Sequence, residues 1–121
     1  MAPVKLKEVA VARQRGACCE LPPVDAAWAE STAELMKALA DPTRLTMVAA
    51  LCKAQAPVCI CDFVAALKLT QPTISHHMAR LKDAELVDSE KRGIWIYYRL
   101  AERMQPQAKA LLGQLLGPAI S

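Results

Sequence analysis

The chain has 121 residues, 54% hydrophobic and only 4% aromatic, with fifteen Lys and Arg against twelve Asp and Glu for a formal charge of +3. That length holds one domain with a core and not two of ordinary size, and the abundance of Ala, Leu, Val and Ile favours helices over a sandwich or barrel. The mild basic balance is compatible with DNA without demonstrating it, and there is no apolar run of about eighteen residues to span a membrane.

Residues 1–25 form an irregular arm. It carries Lys5, Lys7, Arg13 and Arg15, the adjacent thiols Cys18 and Cys19, and the helix-breaking pair Pro22-Pro23. No long apolar leader follows Met1, and five cysteines do not make the even framework of a secreted disulfide protein. A cytoplasmic protein with reduced thiols is expected, in which clustered cysteine signals metal or redox chemistry.

Residues 26–121 read as one domain. Trp28, Leu35 and Leu39 share a face of a helix over about Ala26 to Ala40. Asp41-Pro42 ends it and starts a second helix, with Asp41 as N-cap and Pro42 at the first helical position. Leu45, Val48 (or Ala49) and Cys52 are expected on the inner face of that helix. After Gln55-Ala56-Pro57 comes a third, over about Asp62 to Lys68, with Phe63, Val64 and Leu67 inside.

Thr70 or Gln71 caps a fourth helix running to about Ala84, with the apolar stripe Ile74, Met78 and Leu81. Its other side gathers Thr73, His76 and Arg80, with Ser75 on the shoulder. Leu86-Val87-Asp88 and Ile94-Trp95-Ile96-Tyr97-Tyr98 then predict a hairpin turning at Glu90-Lys91-Arg92-Gly93. A last helix from about Met104 to Leu116 presents Ala108, Leu111, Leu112 and Leu115. This order is that of a mainly α winged helix-turn-helix with a small β-hairpin wing. Both terminal helices are apolar enough to want a second copy, so a homodimer is expected.

Two features carry chemistry. The fourth helix offers Gln71, Thr73, Ser75, His76 and Arg80 to a major groove, and Lys91 and Arg92 at the hairpin tip reach backbone or the adjacent minor groove. Double-stranded DNA is the expected partner. His76 and His77 cannot chelate one ion, because helix neighbours diverge by about 100°; His77 borders the apolar stripe and is expected to be a satisfied, half-buried histidine.

The second feature is Cys59-Ile60-Cys61-Asp62, two thiols one residue apart at the start of the third helix. A helix N-terminus favours thiolate, so both are expected to deprotonate readily. Asp62 is explained as a helix-start residue. Two sulfurs bind loosely, and Cys18 and Cys19 have no packing reason to exist on the arm, which makes them the candidate further donors. Cys52 is expected to be a core thiol. Soft thiolates choose As(III), Cd(II), Pb(II) or Zn(II) over hard cations. No Cys-x-x-Cys and no nucleophile beside a phosphate-binding loop supports an enzyme. A repressor sensing oxidation through Cys59 and Cys61 would share every DNA feature.

From about Leu35 to Leu100 the chain resembles the ArsR/SmtB group of metal-sensing winged-helix repressors. The resemblance rests on Lys37-Ala38-Leu39-Ala40-Asp41-Pro42-Thr43-Arg44-Leu45, Val58-Cys59-Ile60-Cys61-Asp62, Gln71-Pro72-Thr73-Ile74-Ser75-His76-His77 and Gly93-Ile94-Trp95-Ile96-Tyr97-Tyr98. It implies a homodimer bound to operator DNA near its own promoter and released by a toxic metal or metalloid. Cadmium and lead repressors of the group resemble this layout, joining the Cys-x-Cys to two arm cysteines. Arsenic sensors resemble it too: some carry Cys-x-Cys-x-x-Cys within the third helix, where Val64 stands in place of the third thiol here, and others use an arm Cys pair. The zinc site on the last helix of other members is absent, since Ala101 to Ser121 contains no His or Asp. As(III), held by Cys18, Cys19, Cys59 and Cys61 in some combination, is the expected inducer, with Cd(II), Pb(II) or Zn(II) as alternatives.

Overall fold

The computed structural model describes residues 18–117; the basic part of the expected arm, with Lys5, Lys7, Arg13 and Arg15, lies outside them. Pro22-Pro23 keeps the chain irregular until Asp25, whose Oδ1 accepts from the Ala27 N–H at 3.0 Å and opens α1 (Ala26–Leu39). Asp41 does the same for α2 (Pro42–Lys53), accepting from the Arg44 N–H at 3.0 Å with Pro42 in the first turn. That backbone hydrogen bond, aided by the nearby Arg44 charge, holds the Asp41 carboxyl below its ordinary pKa although slight burial opposes it. β1 (Val58–Cys59) leads directly into α3 (Ile60–Leu67).

Lys68 closes α3 in the left-handed region at φ 55°, and the Thr70 hydroxyl accepts from the Thr73 N–H at 3.3 Å to open α4 (Gln71–Asp83). These two caps make the turn of the helix-turn-helix. The expected stripe of α4 is the centre of the core, with Ile74, Met78 and Leu81 essentially fully buried. β2 (Val87–Arg92) and β3 (Trp95–Leu100) follow, then α5 (Pro106–Leu116). Together they form a winged helix-turn-helix. Among the described residues no helix is long and apolar enough to cross a membrane.

Three expectations are corrected. The buried face of α2 is Met47, Val48 and Leu51, whereas Leu45 is exposed and Cys52 half-buried. Apolar residues lie almost all round this helix, so periodicity selects no face. Arg44 adds a constraint on its rotation: Nε donates to the Ala38 carbonyl at 2.6 Å and Nη2 to the Lys37 carbonyl at 3.3 Å, satisfying the end of α1. Trp28, expected on one face with Leu35 and Leu39, does not share their burial and is 53% exposed. The hairpin is longer than expected: β2 runs through Glu90, Lys91 and Arg92, and Arg92 pairs with Trp95, leaving Gly93-Ile94 as the turn. Gly93 has φ 64° and Ile94 does not have positive φ, which is the backbone of a two-residue type II′ turn.

Strand β1 has no counterpart among the elements expected from the sequence. It adds to β3 on the side away from β2, giving an antiparallel sheet in the order β1-β3-β2 with Val58 opposite Tyr98 and Cys59 opposite Tyr97. Val87 and Tyr98 are buried against the helices, and burial pushes the Tyr98 hydroxyl pKa up.

Candidate nucleic-acid interface and thiol site

Because Ile74, Met78 and Leu81 bind α4 to the core, helix geometry turns the intervening residues outward. Gln71, Thr73, His76 and Arg80 are exposed, and Ser75 is half-buried on the shoulder. The Thr73 hydroxyl is tied to that of Thr70 at 2.8 Å, so the cap also fixes this side chain. His77 is half-buried and its Nδ1 lies 3.2 Å from Arg44 Nη1. Arginine only donates, so Nδ1 is the acceptor in this contact. The contact joins α2 to α4 and leaves His76 as the outward histidine. The pattern of α4 identifies these groups, whereas Arg44 stands outside it. Its sequence signal is an Arg three residues after an N-cap Asp.

Lys91 and Arg92 are exposed near the hairpin tip, as expected. Arg92 is not loose: Nη2 is 3.1 Å from Glu90 Oε2, and the guanidinium carbon lies 4.6 Å from the Tyr97 ring centroid. Lys82 Nζ donates to Ser89 Oγ at 2.8 Å, connecting α4 to the wing strand. Among the described residues neither Arg80 nor Lys91 is in an ion pair. The surface therefore offers a helix with polar groups at its N-terminal end, a cation one further turn along, and a basic wing.

The thiols are set by the β1–α3 junction. Cys59 ends β1 and is the N-cap of α3, 5% exposed, with extended backbone. Its Sγ accepts from the Cys61 N–H at 3.4 Å, so sulfur occupies the usual place of a capping oxygen. Cys61 is exposed in the first turn, and its Sγ lies 2.8 Å from Cys59 Sγ. Both are free thiols. The expectation of easy deprotonation does not hold for Cys61: its pKa is raised, first because it donates to Cys59 Sγ, then through burial and negative charge on Cys59 and Asp62. The neighbouring sulfur outweighs the helix N-terminus. Asp62 is the acidic residue of the first turn of α3, as expected.

Cys18 and Cys19 are exposed free thiols in the irregular chain before α1. Among the described residues no three Cys, His, Asp or Glu side chains come together as a metal site, so the fold itself assembles only the Cys59–Cys61 pair. That pair suits a thiophilic ion as part of a donor set. Two bonds of about 2.3 Å to a tetrahedral ion hold sulfurs roughly 3.8 Å apart, an opening that the exposed Cys61 side chain can supply by rotation. Cys52 packs at the edge of the core beside Leu112, and burial raises its pKa.

Residues 41–89, from the Asp41 cap to the first part of the wing, match the family model described as bacterial regulatory protein, arsR family. The chain is 38% identical over 86 residues to an uncharacterised HTH-type transcriptional regulator of Methanocaldococcus jannaschii, covering 71% of this chain and 96% of that protein. It is 37% identical over 81 residues to the arsenical resistance operon repressor of Escherichia coli K12, covering 67% of this chain and 68% of that one. Its fold is similar to the solution structure of a homodimeric winged helix-turn-helix DNA-binding domain from Mycobacterium bovis, with TM-score 0.62 and 27% identity over 74% of this chain and 79% of that one. The match spans the Asp41 cap, the helix-turn-helix and the helix that begins at the Cys59–Cys61 pair, and the chain belongs to the arsR family of bacterial regulatory proteins, which are DNA-binding regulators and not enzymes.

Proposed function

We propose that this protein is a dimeric repressor that binds operator DNA through α4 and the wing and is released when As(III) binds Cys59 and Cys61. The observation that carries the reading is the position of the thiol pair at the start of α3, the helix joined to α4 by the Lys68–Thr70 turn. Sulfur from Cys18 or Cys19 completes the donor set, since those thiols are exposed and connected to α1 by a short irregular segment. Three sulfurs suit pyramidal As(III), and adjacent cysteines are poorly placed to give both sulfurs to one tetrahedral ion. The relative in Escherichia coli is named an arsenical resistance operon repressor, which supports the same inducer class. The thiols lie at the base of the helix-turn-helix and the groove-facing residues on the outer side of α4. Release therefore works by coupling and not by blocking the DNA face.

Exposed apolar residues on α1 and α5 support a second copy. Trp28 and Met36 of α1 are 53% and 58% exposed, and Leu115 of α5 is 58% exposed. Thr32, one turn from each of the first two, accepts from Gln107 Nε2 at 2.7 Å, which aligns α1 with α5. A two-fold partner covers this seam and presents two recognition helices to one duplex.

Titration of the reduced protein with As(III), Cd(II), Pb(II) and Zn(II), followed by ultraviolet absorption and by loss of titratable thiol, tests the site. The expected result is saturation by As(III) with three thiols consumed per ion, weakened in Cys18→Ser or Cys19→Ser and absent in Cys59→Ser and Cys61→Ser. Four thiols consumed by Cd(II), Pb(II) or Zn(II) with no As(III) saturation makes those ions the inducers. The adjacency of two free thiols also fits a thiol-redox reading; operator release by peroxide, with no response to any metal under reducing conditions, selects it.

A further inference from the structure

We infer that Tyr97 is a positioning residue that connects the thiol pair to the DNA-facing arginine of the wing. The inference rests on the proposed sensing role of Cys59 and Cys61. Cys59 pairs with Tyr97, and Tyr97 pairs with Glu90, so these residues form one row across β1, β3 and β2. Side chains directly opposite each other on antiparallel strands share a face, with Cβ atoms about 4.5–5.5 Å apart. Alternation puts Arg92 on that same face, and it touches both ends of the neighbouring pair: Glu90 Oε2 at 3.1 Å and the Tyr97 ring at 4.6 Å. On the opposite face Val87 and Tyr98 are buried, and in this row Cys59 is buried as well, with Tyr97 packed against the core and only the wing end exposed.

The row gives the sensing cysteine a path to the wing that does not pass through α4. Strand β1 is two residues long and held to β3 only at Val58 and Cys59. A change in Cys59 thus acts directly on the strand that carries Tyr97, and the Tyr97 ring is half of what orients the Arg92 guanidinium. Arg80 and His76 respond to α3 through α4, whereas Arg92 responds through the sheet.

The test measures operator binding by the full chain, as fluorescence anisotropy at fixed moderate salt, with and without arsenite. A guanidinium over an aromatic face contributes a roughly 2- to 30-fold effect. Without arsenite, Tyr97→Leu and Arg92→Gln should each weaken operator binding within that range. The double variant should be no weaker than the weaker single variant, and Tyr97→Phe, which keeps the ring face, should bind as the wild type does. With arsenite, Tyr97→Leu should lose less affinity than the wild type. Wild-type affinity in Arg92→Gln, or additive losses in the double variant, overturns the inference; Arg92 lies on the exposed wing, so its variant reports even if Tyr97→Leu does not fold. Full arsenite response in Tyr97→Leu also overturns it. Release of Cys59→Ser by arsenite would instead sink the sensing reading, while the arsenite-free comparison of Tyr97 and Arg92 would still stand.

Discussion

Arg80→Ala lowers operator affinity by about 5- to 150-fold, the range of a lost good base contact at about 1–3 kcal/mol, and leaves the fold intact. Arg80 is exposed on the face of α4 opposite Ile74, Met78 and Leu81, and among the described residues it forms no ion pair that would be broken. Stability should therefore stay within about 0.5 kcal/mol, as for surface substitutions elsewhere. His76→Ala should act in the same direction, since His77 and not His76 makes the structural contact to Arg44. Measuring affinity against salt separates two roles for Arg80. Loss of a phosphate contact reduces the log–log salt slope by about 0.9, whereas loss of a base contact leaves the slope and relaxes sequence preference. Wild-type affinity in both variants would remove α4 as the reading helix.

Leu115→Asp dissociates the dimer without unfolding the protomer. The buried face of α5 is Ala108 and Leu112, and Leu115 is 58% exposed, so the new carboxylate does not enter the protomer core. In the proposed seam it becomes a charge among apolar groups, where an unpaired ion costs several kcal/mol. Sedimentation equilibrium at micromolar concentration should show a dimer for the wild type and a monomer for the variant. Operator affinity should fall with it, because one protomer reaches one half-site. Leu111→Asp is a harsher change, since Leu111 is half-buried and packs against the core, and it should unfold the protein. A wild-type monomer, or an undisturbed Leu115→Asp dimer, would place the interface elsewhere.

The parts legible in the sequence are those where two local rules agree. At Asp41-Pro42 a capping side chain and a fixed φ coincide, and at α4 the Thr70 cap precedes a stripe that only one helix face satisfies. The outward set Gln71, Thr73, His76 and Arg80 follows from that stripe by subtraction. Where one rule stood alone, it misled. Helix α2 is apolar on most sides, so its inward face depends on long-range contacts such as that of Arg44 with α1 and His77. Strand β1 has two residues and no period, and it exists because β3 offers an edge. The wing extends past its apolar residues because backbone pairing continues after it has left the core, with Ser89, Glu90, Lys91 and Arg92 all exposed.

The same logic covers the thiols. Spacing shows that Cys59 and Cys61 stand together, and capping preference places a side chain to accept at the start of α3. It does not show that the acceptor is Cys59 Sγ itself, or that the two sulfurs share a proton contact that raises Cys61. The donors beyond the pair belong to the arm, where no periodicity exists to be read. Cys59→Ser is a clean probe for this reason: serine is a good N-cap, so the helix start survives the loss of sulfur.

Operator release by arsenite in the Cys59→Ser and Cys61→Ser variants tests the central claim most directly. Arsenite should lower the operator affinity of the wild type by about 5- to 150-fold, the usual range for coupled sites. Both variants should bind operator as the wild type does and stay bound through the titration, while Cys52→Ser is released normally. Release of the Cys59→Ser and Cys61→Ser variants at the arsenite concentration that frees the wild type would contradict the assignment of the sensing site to the start of α3.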